Sequence, residues 1–338
     1  MSFNELHISL QNLEINWVRD LRIGGLLSGI YDPQTNTIPT AAQVNDILTT
    51  NNLNSGFSYI PVLIPAFNSE TDTYEIDESL IADTLFRSNK AYVGYRNFMA
   101  FGNRFLTCMP DINDRTQMII SHNLNVKTFV STLKSKRNTI CAFQTRNIPH
   151  NGHIKILEYL LEVCDHVVIN PVIGIKKPGD TLIPVLKEAY EYVITNILKT
   201  QNLHYVPVYA DMYYAGPREA AHHALIRQNL GFTHFSVGRD HAGAENLFHP
   251  EDAVNFISEI KSDLEIEVFT LPGAYYCNAC MGITIKDCCA DFANSSSKEN
   301  ISGTDLRNSI NNQSNYAHLD SGLISHITNQ FGEELFES

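Results

Sequence analysis

From about residue 138 the chain alternates short apolar runs with amphipathic stretches, and this alternation restricts the fold more than any other feature. Apolar runs at 139–143, 166–170, 204–209, 234–238 and 266–270 have the length of buried strands. Helical spacing fills about 152–163, 180–199 and 216–230, with Gly231 as a C-cap, and returns near 250–262. Strands separated by helices imply parallel pairing, with helices on both faces of an α/β sheet. Ligands on such sheets sit beyond the carboxyl ends of the strands. Polar loops at 144–153, 171–180, 210–218 and 239–243 each follow a strand. They are expected to meet at one rim.

The flanking regions read differently. Residues 1–134 are rich in turn formers and in short β-like runs, such as 59–64 and 91–95, and so read as a mixed or mainly β domain. The basic run Lys134-Ser-Lys-Arg137 marks a solvated boundary. Residues 135–272 form the alternating unit. Residues 273–338, where Cys, Gly and Ser cluster before a last helical section, read as a small C-terminal subdomain. A chain of 338 residues suits this division.

Charge and cysteine usage exclude several roles. A formal net charge of −13 argues against broad binding to nucleic acid or anionic membranes. An anionic substrate would need a local basic pocket. No signal peptide is evident, and no apolar run reaches membrane-spanning length, so a cytoplasmic protein is expected. Of seven cysteines, four crowd into 277–289, which suits a metal site in a reducing compartment better than a disulfide framework.

The loop Gln144-Thr-Arg-Asn-Ile-Pro-His-Asn-Gly-His153 carries the densest chemistry. It joins the apolar run ending at Phe143 to a helix with Ile154, Leu157, Leu160 and Leu161 on one side. A helix N-terminus offers unpaired N–H groups and a positive dipole end, which favours phosphate. His150 and His153 are three apart and share one side of the first turn. Arg146 can fork onto a tetrahedral oxyanion. Two histidines at a helix start are, by themselves, often only a cap. The donors Gln144, Arg146 and Asn147 just upstream turn the reading towards function.

Further motifs fall on the same expected rim. Val237-Gly-Arg-Asp-His-Ala-Gly243 follows a strand, with Gly238 and Gly243 allowing close backbone approach and Arg239 supplying charge. Tyr213-Tyr-Ala-Gly-Pro-Arg-Glu219 starts a helix at Pro217, where Arg218 has Glu219 or a rim carboxylate within expectation. In Gly174-Ile-Lys-Lys-Pro-Gly-Asp180, Asp180 is a candidate helix cap, and Lys176 or Lys177 a candidate phosphate screen. Cys277-x-x-Cys280, Cys289 and Asp291 offer a tetrahedral structural Zn²⁺ site, free thiols being the alternative.

These motifs, with Ile301-Ser-Gly-Thr-Asp-Leu-Arg307, resemble those of the ATP sulfurylase (sulfate adenylyltransferase) family over about 138–310. The resemblance implies a Rossmann-like nucleotidyltransferase sheet preceded by a shortened, PUA-like N-terminal domain. It implies that Gln144 and Arg146 hold sulfate with the backbone N–H of Ala242. His150 and His153 would meet the ATP phosphates and the leaving diphosphate, with Asn147 and Thr145 beside them, and Gly238 and Arg239 would lie against the nucleotide. Mg²⁺ would arrive with ATP, and a homodimer is expected. Proline stands at 149, one place later than usual, and Cys289-Ala-Asp291 replaces the Cys-Pro-His of zinc-bearing members. The expected reaction is ATP + sulfate → adenosine 5′-phosphosulfate + diphosphate, in either direction. No P-loop is present, so no fused adenosine-phosphosulfate kinase is expected. Rival readings are a nucleotidyltransferase with another anionic acceptor and a non-catalytic paralogue that senses nucleotide.

Overall fold

The computed structural model describes residues 14–32, 34–50, 59–239, 241–271, 273–286, 288–289, 297–312, 317–332 and 334–337. Up to residue 134 the described residues correct the β-rich expectation. They form helices α1 (Ile15–Leu27), α2 (Ala41–Thr49), α3 (Glu78–Phe86), α4 (Val93–Phe98) and α5 (Asp114–Lys134). Their strands are a single short antiparallel ribbon, β1 (Thr73–Glu75) with β2 (Arg104–Leu106). Residues 59–64 form no ladder, and Pro61 and Pro65 explain this because neither has an N–H to donate. Residues 91–95 run into α4, with Tyr92 as its N-cap.

Helices α1 and α5 escape the hydrophobic pattern because polar groups face their buried sides. Arg19, Asp20 and Arg22 of α1 are all buried. Arg22 Nε lies 2.7 Å from Asp211 Oδ2, and its Nη1 donates to Leu63 O at 2.6 Å. Asp20 accepts from Thr116 Oγ1 of α5 at 2.7 Å. Asn123, on the inner face of α5, brackets the backbone of Tyr209, donating to its O at 2.9 Å and accepting from its N at 3.0 Å. Satisfied in this way, polar side chains occupy core positions without the penalty of an unpaired buried group.

The alternation in the rest of the chain becomes a parallel sheet. Its elements are β3 (Ile140–Phe143), α6 (Asn151–Val163), β4 (His166–Ile169), β5 (Val172–Ile173), α7 (Ile183–Tyr192), β6 (Leu203–Tyr205), β7 (Val208–Tyr209), α8 (Pro217–Leu230), β8 (His234–Val237), α9 (Asp252–Glu259) and β9 (Glu267–Thr270). Among the described residues the central sheet has the order β6-β4-β3-β8-β9, all parallel. The run at 204–209 splits because Pro171 and Pro207 both lack a donor. Pairing resumes beyond them as β5 with β7. Side chains alternate: Ile140, Ala142, Val168 and Phe235 join the core that includes α5 and α8 residues. Cys141, Phe143, Val167 and Ile169 join the core that includes α6 and α7 residues. The first of these cores is continuous with residues of α1 to α4.

The chain builds outward from β3 to β6, then returns to β8 on the other side of β3. The crevice between the ends of β3 and β8 is therefore the switch point where such sheets bind ligands. Gly231 ends α8 at φ +93, as expected of a left-handed cap. Asp180 does not cap α7, whose N-cap is Leu182.

The last elements are β10 (Tyr275–Cys277), β11 (Gly282–Thr284), β12 (Lys298–Asn300), α10 (Gly303–Asn311) and α11 (Ser321–Phe331). The strands form an antiparallel sheet in the order β11-β10-β12. Beyond α11, residues 335–337 run beside 179–182 through an antiparallel bridge between Thr181 and Phe336. No helix among the described residues is long and apolar enough to cross a membrane.

Candidate active site

The two histidines cap α6 in a reciprocal arrangement. His150 Nδ1 accepts from His153 N at 3.2 Å, and His150 N donates to His153 Nδ1 at 3.3 Å. Their rings stack with centroids 3.8 Å apart. Gly152 makes this possible, since a Cβ there would lie 2.9 Å from both His150 Nδ1 and Ala274 Cβ. Each Nδ1 is used as an acceptor, so each neutral ring carries its proton on Nε2. Burial holds both rings neutral, with His150 well below its ordinary pKa and His153 lowered to about 4. The cap thus prepares two neutral N–H donors beside a positive helix end.

Arg146 is fixed on three sides. Its Nη2 donates to Gly243 O at 2.6 Å, its guanidinium lies 5.5 Å from the centre of the Tyr214 ring, and Nε is 3.7 Å from Asp180 Oδ1. Among the described residues Gln144 Nε2 reaches the Met212 sulfur, at 3.8 Å, a weak contact. Asn147 packs against Gly303, where a Cβ would come within 2.8 Å of its amide. Thr145 Oγ1 accepts from Tyr190 OH at 3.2 Å.

The loop after β8 closes the other side. Ala242 adopts φ +56. Arg239 lies over Tyr275 at 5.5 Å and donates to Asn300 Oδ1 at 3.3 Å. His241 is held from beneath: His223 Nδ1 is 3.1 Å from His241 Nε2, and His223 Nε2 is 3.4 Å from Glu219 Oε1. Glu219 in turn accepts from Tyr213 N and Ala215 N, both at 2.8 Å. Burial raises Glu219 to about 7 against these bonds and drives His223 and His241 well below their ordinary values.

Together these loops enclose a cleft of about 260 Å³, near the lower end of the ~300–1,000 Å³ common for small-ligand sites. Gln144, Thr145, Arg146, Asn147, His150, His153, Gly238, Arg239 and Ala242 all line it. Met212, His241 and the segment Ser302–Thr304 with Arg307 also line it, though no role was read for them. For the last group the available signal was the Ser-Gly pair before a helical run, which puts a second helix N-terminus at the cleft. Among the described residues the lining holds three arginines, three histidines and no carboxylate.

Other candidates lie elsewhere. Lys176 is buried and donates to Val172 O at 2.8 Å, and Lys177 Nζ pairs with Asp180 Oδ1 at 2.8 Å. Among the described residues Arg218 donates to the carbonyls of Ile47 and Tyr59. Cys277, Cys280, Cys288 and Cys289 gather apart from the cleft, with their sulfurs within 4.8 Å of one another, and can hold a metal. Asp291 lies outside the described residues.

A family model for ATP-sulfurylase matches residues 125–318, more than half of the chain. The chain belongs to the ATP-sulfurylase family. A sulfate adenylyltransferase of Staphylothermus marinus is 40% identical over 185 residues, covering 55% of this chain and 48% of that protein. One from Pyrococcus abyssi is 42% identical over 172 residues, covering 51% and 45%. The chain spans about half the length of these curated relatives. A solved hexameric APS kinase from Thiobacillus denitrificans superposes with a TM-score of 0.56 over 96% of this chain and 63% of that one. At 13% identity this likeness concerns the fold alone.

Proposed function

We propose that the cleft is a sulfate adenylyltransferase site, catalysing ATP + sulfate → adenosine 5′-phosphosulfate + diphosphate. The observation that carries this reading is the charge of the lining. A protein of net charge −13 gathers three arginines around one cleft, beside three histidines that burial holds neutral, with no carboxylate among the described lining residues. Such a lining suits two polyanions brought together.

A sulfate oxygen attacks the α-phosphorus in line, the new S–O–P link forms, and the bond from the α-phosphorus to the bridging oxygen breaks as diphosphate leaves. Sulfate has no proton to give up, so a general base has no task. Catalysis rests on alignment and on neutralising repulsion. Gln144, Arg146 and the Ala242 backbone N–H hold the sulfate. His150 and His153 direct Nε2–H groups at the phosphates and at charge gathering on diphosphate. Thr145, Asn147, Gly238 and Arg239 position the nucleotide. Mg²⁺ would arrive on ATP, held by phosphate and water oxygens.

The cysteine group is inferred to hold structural Zn²⁺. Cys277 and Cys289 sulfurs are 3.8 Å apart and those of Cys288 and Cys289 4.0 Å. Tetrahedral bonds of ~2.3 Å give an edge of about 3.8 Å. Cys288 thus offers a fourth thiolate in the place that Asp291 was expected to take, and elemental analysis would read one zinc per chain. A homodimer, which the resemblance implies, is read by light scattering.

The deciding experiment is phosphate release from Mg-ATP by the full chain, with and without sulfate, beside Arg146→Ala. Pyrophosphatase and an enzyme that consumes adenosine phosphosulfate draw the reaction forward. Sulfate-dependent release that Arg146→Ala loses is the expected result. Nucleotide binding with no sulfate dependence would replace this reading with another acceptor or a nucleotide sensor.

A further inference from the structure

Arg146 is gripped at both ends by a pair of residues from a different loop. At the guanidinium, Asp180 Oδ1 forms an ion pair 3.7 Å from Nε, while the outer Nη2 donates to Gly243 O at 2.6 Å. At the base, Thr181 N donates to Arg146 O at 3.3 Å. The Asp180 carboxylate is fully buried and has little room to move. Lys177 Nζ is 2.8 Å from Oδ1, and Tyr214 OH donates to Oδ2 at 2.8 Å. The same Tyr214 ring lies under the Arg146 guanidinium. Burial opposes ionisation of Asp180, but the charges of Arg146, Lys177 and Lys176 outweigh it and keep the carboxyl below its ordinary range.

The backbone of this grip is itself held from far along the chain. Glu337 N donates to Asp180 O at 2.8 Å, and Gly179 N donates to Glu337 O at 2.9 Å. Leu182 N donates to Leu335 O at 3.1 Å. Residues 335–337 lie outside the range 125–318 that the family model matches.

We propose that Asp180 is a positioning residue that sets the plane of the Arg146 guanidinium for the acceptor oxyanion, and that residues 335–337 hold Asp180 in register. This rests on the reading of Arg146 as the sulfate ligand. A guanidinium binds a tetrahedral oxyanion through two N–H groups in one plane, so the orientation of that plane decides whether the fork fits. Asp180 touches no substrate. Its effect is expected on the acceptor alone.

The test uses Asp180→Asn in the full chain, which keeps the shape and removes the charge. Three quantities are read: Mg-ATP affinity by equilibrium dialysis, the sulfate KM in the coupled assay, and sulfate protection of Arg146 from phenylglyoxal, mapped by mass spectrometry. The sulfate KM and the protecting concentration are expected to rise ~10- to 100-fold, as for a misplaced binding group. Mg-ATP affinity is expected to stay within about twofold, as for a contact outside the nucleotide subsite. Glu337→Pro removes the N–H that Asp180 O accepts and should act in the same direction, less strongly. It carries the test if Asp180→Asn does not fold. Wild-type sulfate KM and protection in a folded variant would overturn the proposal, as would an equal loss of Mg-ATP affinity. If the wild-type protein turns over no sulfate but sulfate protects Arg146 in an Asp180-dependent way, the positioning role stands and the reaction assigned above falls. If it neither turns over nor is protected, both fall.

Discussion

At the scale of single residues, His150 serves the fold and the chemistry with different ring nitrogens. Nδ1 caps α6, and in the proposed reaction Nε2 presents its N–H to phosphate. Substitution can separate the two. Asparagine is a good N-cap, so His150→Asn should keep stability yet lose most turnover. His150→Ala should lose turnover and, in addition, about 1 kcal/mol of stability. Denaturant melts set beside kcat decide the matter, and equal stability of the two variants would remove the cap from the account. His153→Ala should lower kcat ~100-fold or more while the sulfate KM changes little, as for a donor that meets charge only in the transition state. That the loop 144–153 lies at the cleft was legible because the order strand, loop, helix puts it beyond the carboxyl end of β3. Asp180 was misread as a cap because its partners, Tyr214 and Lys177, are brought to it only by tertiary structure.

Among elements, α6 and α8 were readable to within about one residue, since their starts and stops are local chemistry: His150 before the first turn, Pro217 and Gly231 around the other. Helices α1 and α5 were not. Their buried faces contain Arg22, Asp20, Thr116 and Asn123, and the hydrophobic period disappears where polar partners replace apolar ones. Nothing in the sequence announces that Arg22 will meet Asp211, 189 positions away. The α6 cap also depends on its second residue having no side chain. Gly152→Ala places a methyl 2.9 Å from His150 Nδ1 and from Ala274 Cβ. Alanine is the better helix former by ~1 kcal/mol, so helix propensity predicts a gain. The crowding predicts instead a displaced His150 and lost turnover, with little change in melting temperature. A fully active Gly152→Ala protein would show that His150 does not need its stacked position.

For the whole molecule, the buried histidines govern the response to acid. His150, His222, His223 and His241 are held well below their ordinary pKa and His153 at about 4, in each case chiefly by desolvation. Between pH 6.5 and about 4 the unfolded chain binds protons that the folded one refuses. Stability is therefore full above pH 6.5 and falls as the pH drops through that window, each histidine adding a slope of up to about 1.4 kcal/mol per pH unit. Glu219 and Glu337, both raised to about 7 by burial, act in the opposite sense. They favour the fold below pH 4.5 and withdraw that support as the pH rises to 7. The histidines outnumber them, so denaturant melts at pH 7 and pH 5 should show net loss at pH 5. Equal midpoints would contradict the burial of these rings.

The cleft crowded with arginines has a consequence for handling the protein. Asp180, 3.7 Å from Arg146, is shared with Lys177, so it offsets only part of the repulsion among Arg146, Arg239 and Arg307 around the cleft. On the proposed function, a divalent oxyanion would relieve that repulsion in the folded state alone. Buffer composition then becomes a thermodynamic variable: sulfate at a hundredfold excess over its Kd should add about 2.7 kcal/mol. Chloride of equal ionic strength should add far less, because screening without a fitted contact is weak at a partly buried site. Melting temperatures taken in a sulfate-containing buffer would describe the liganded protein.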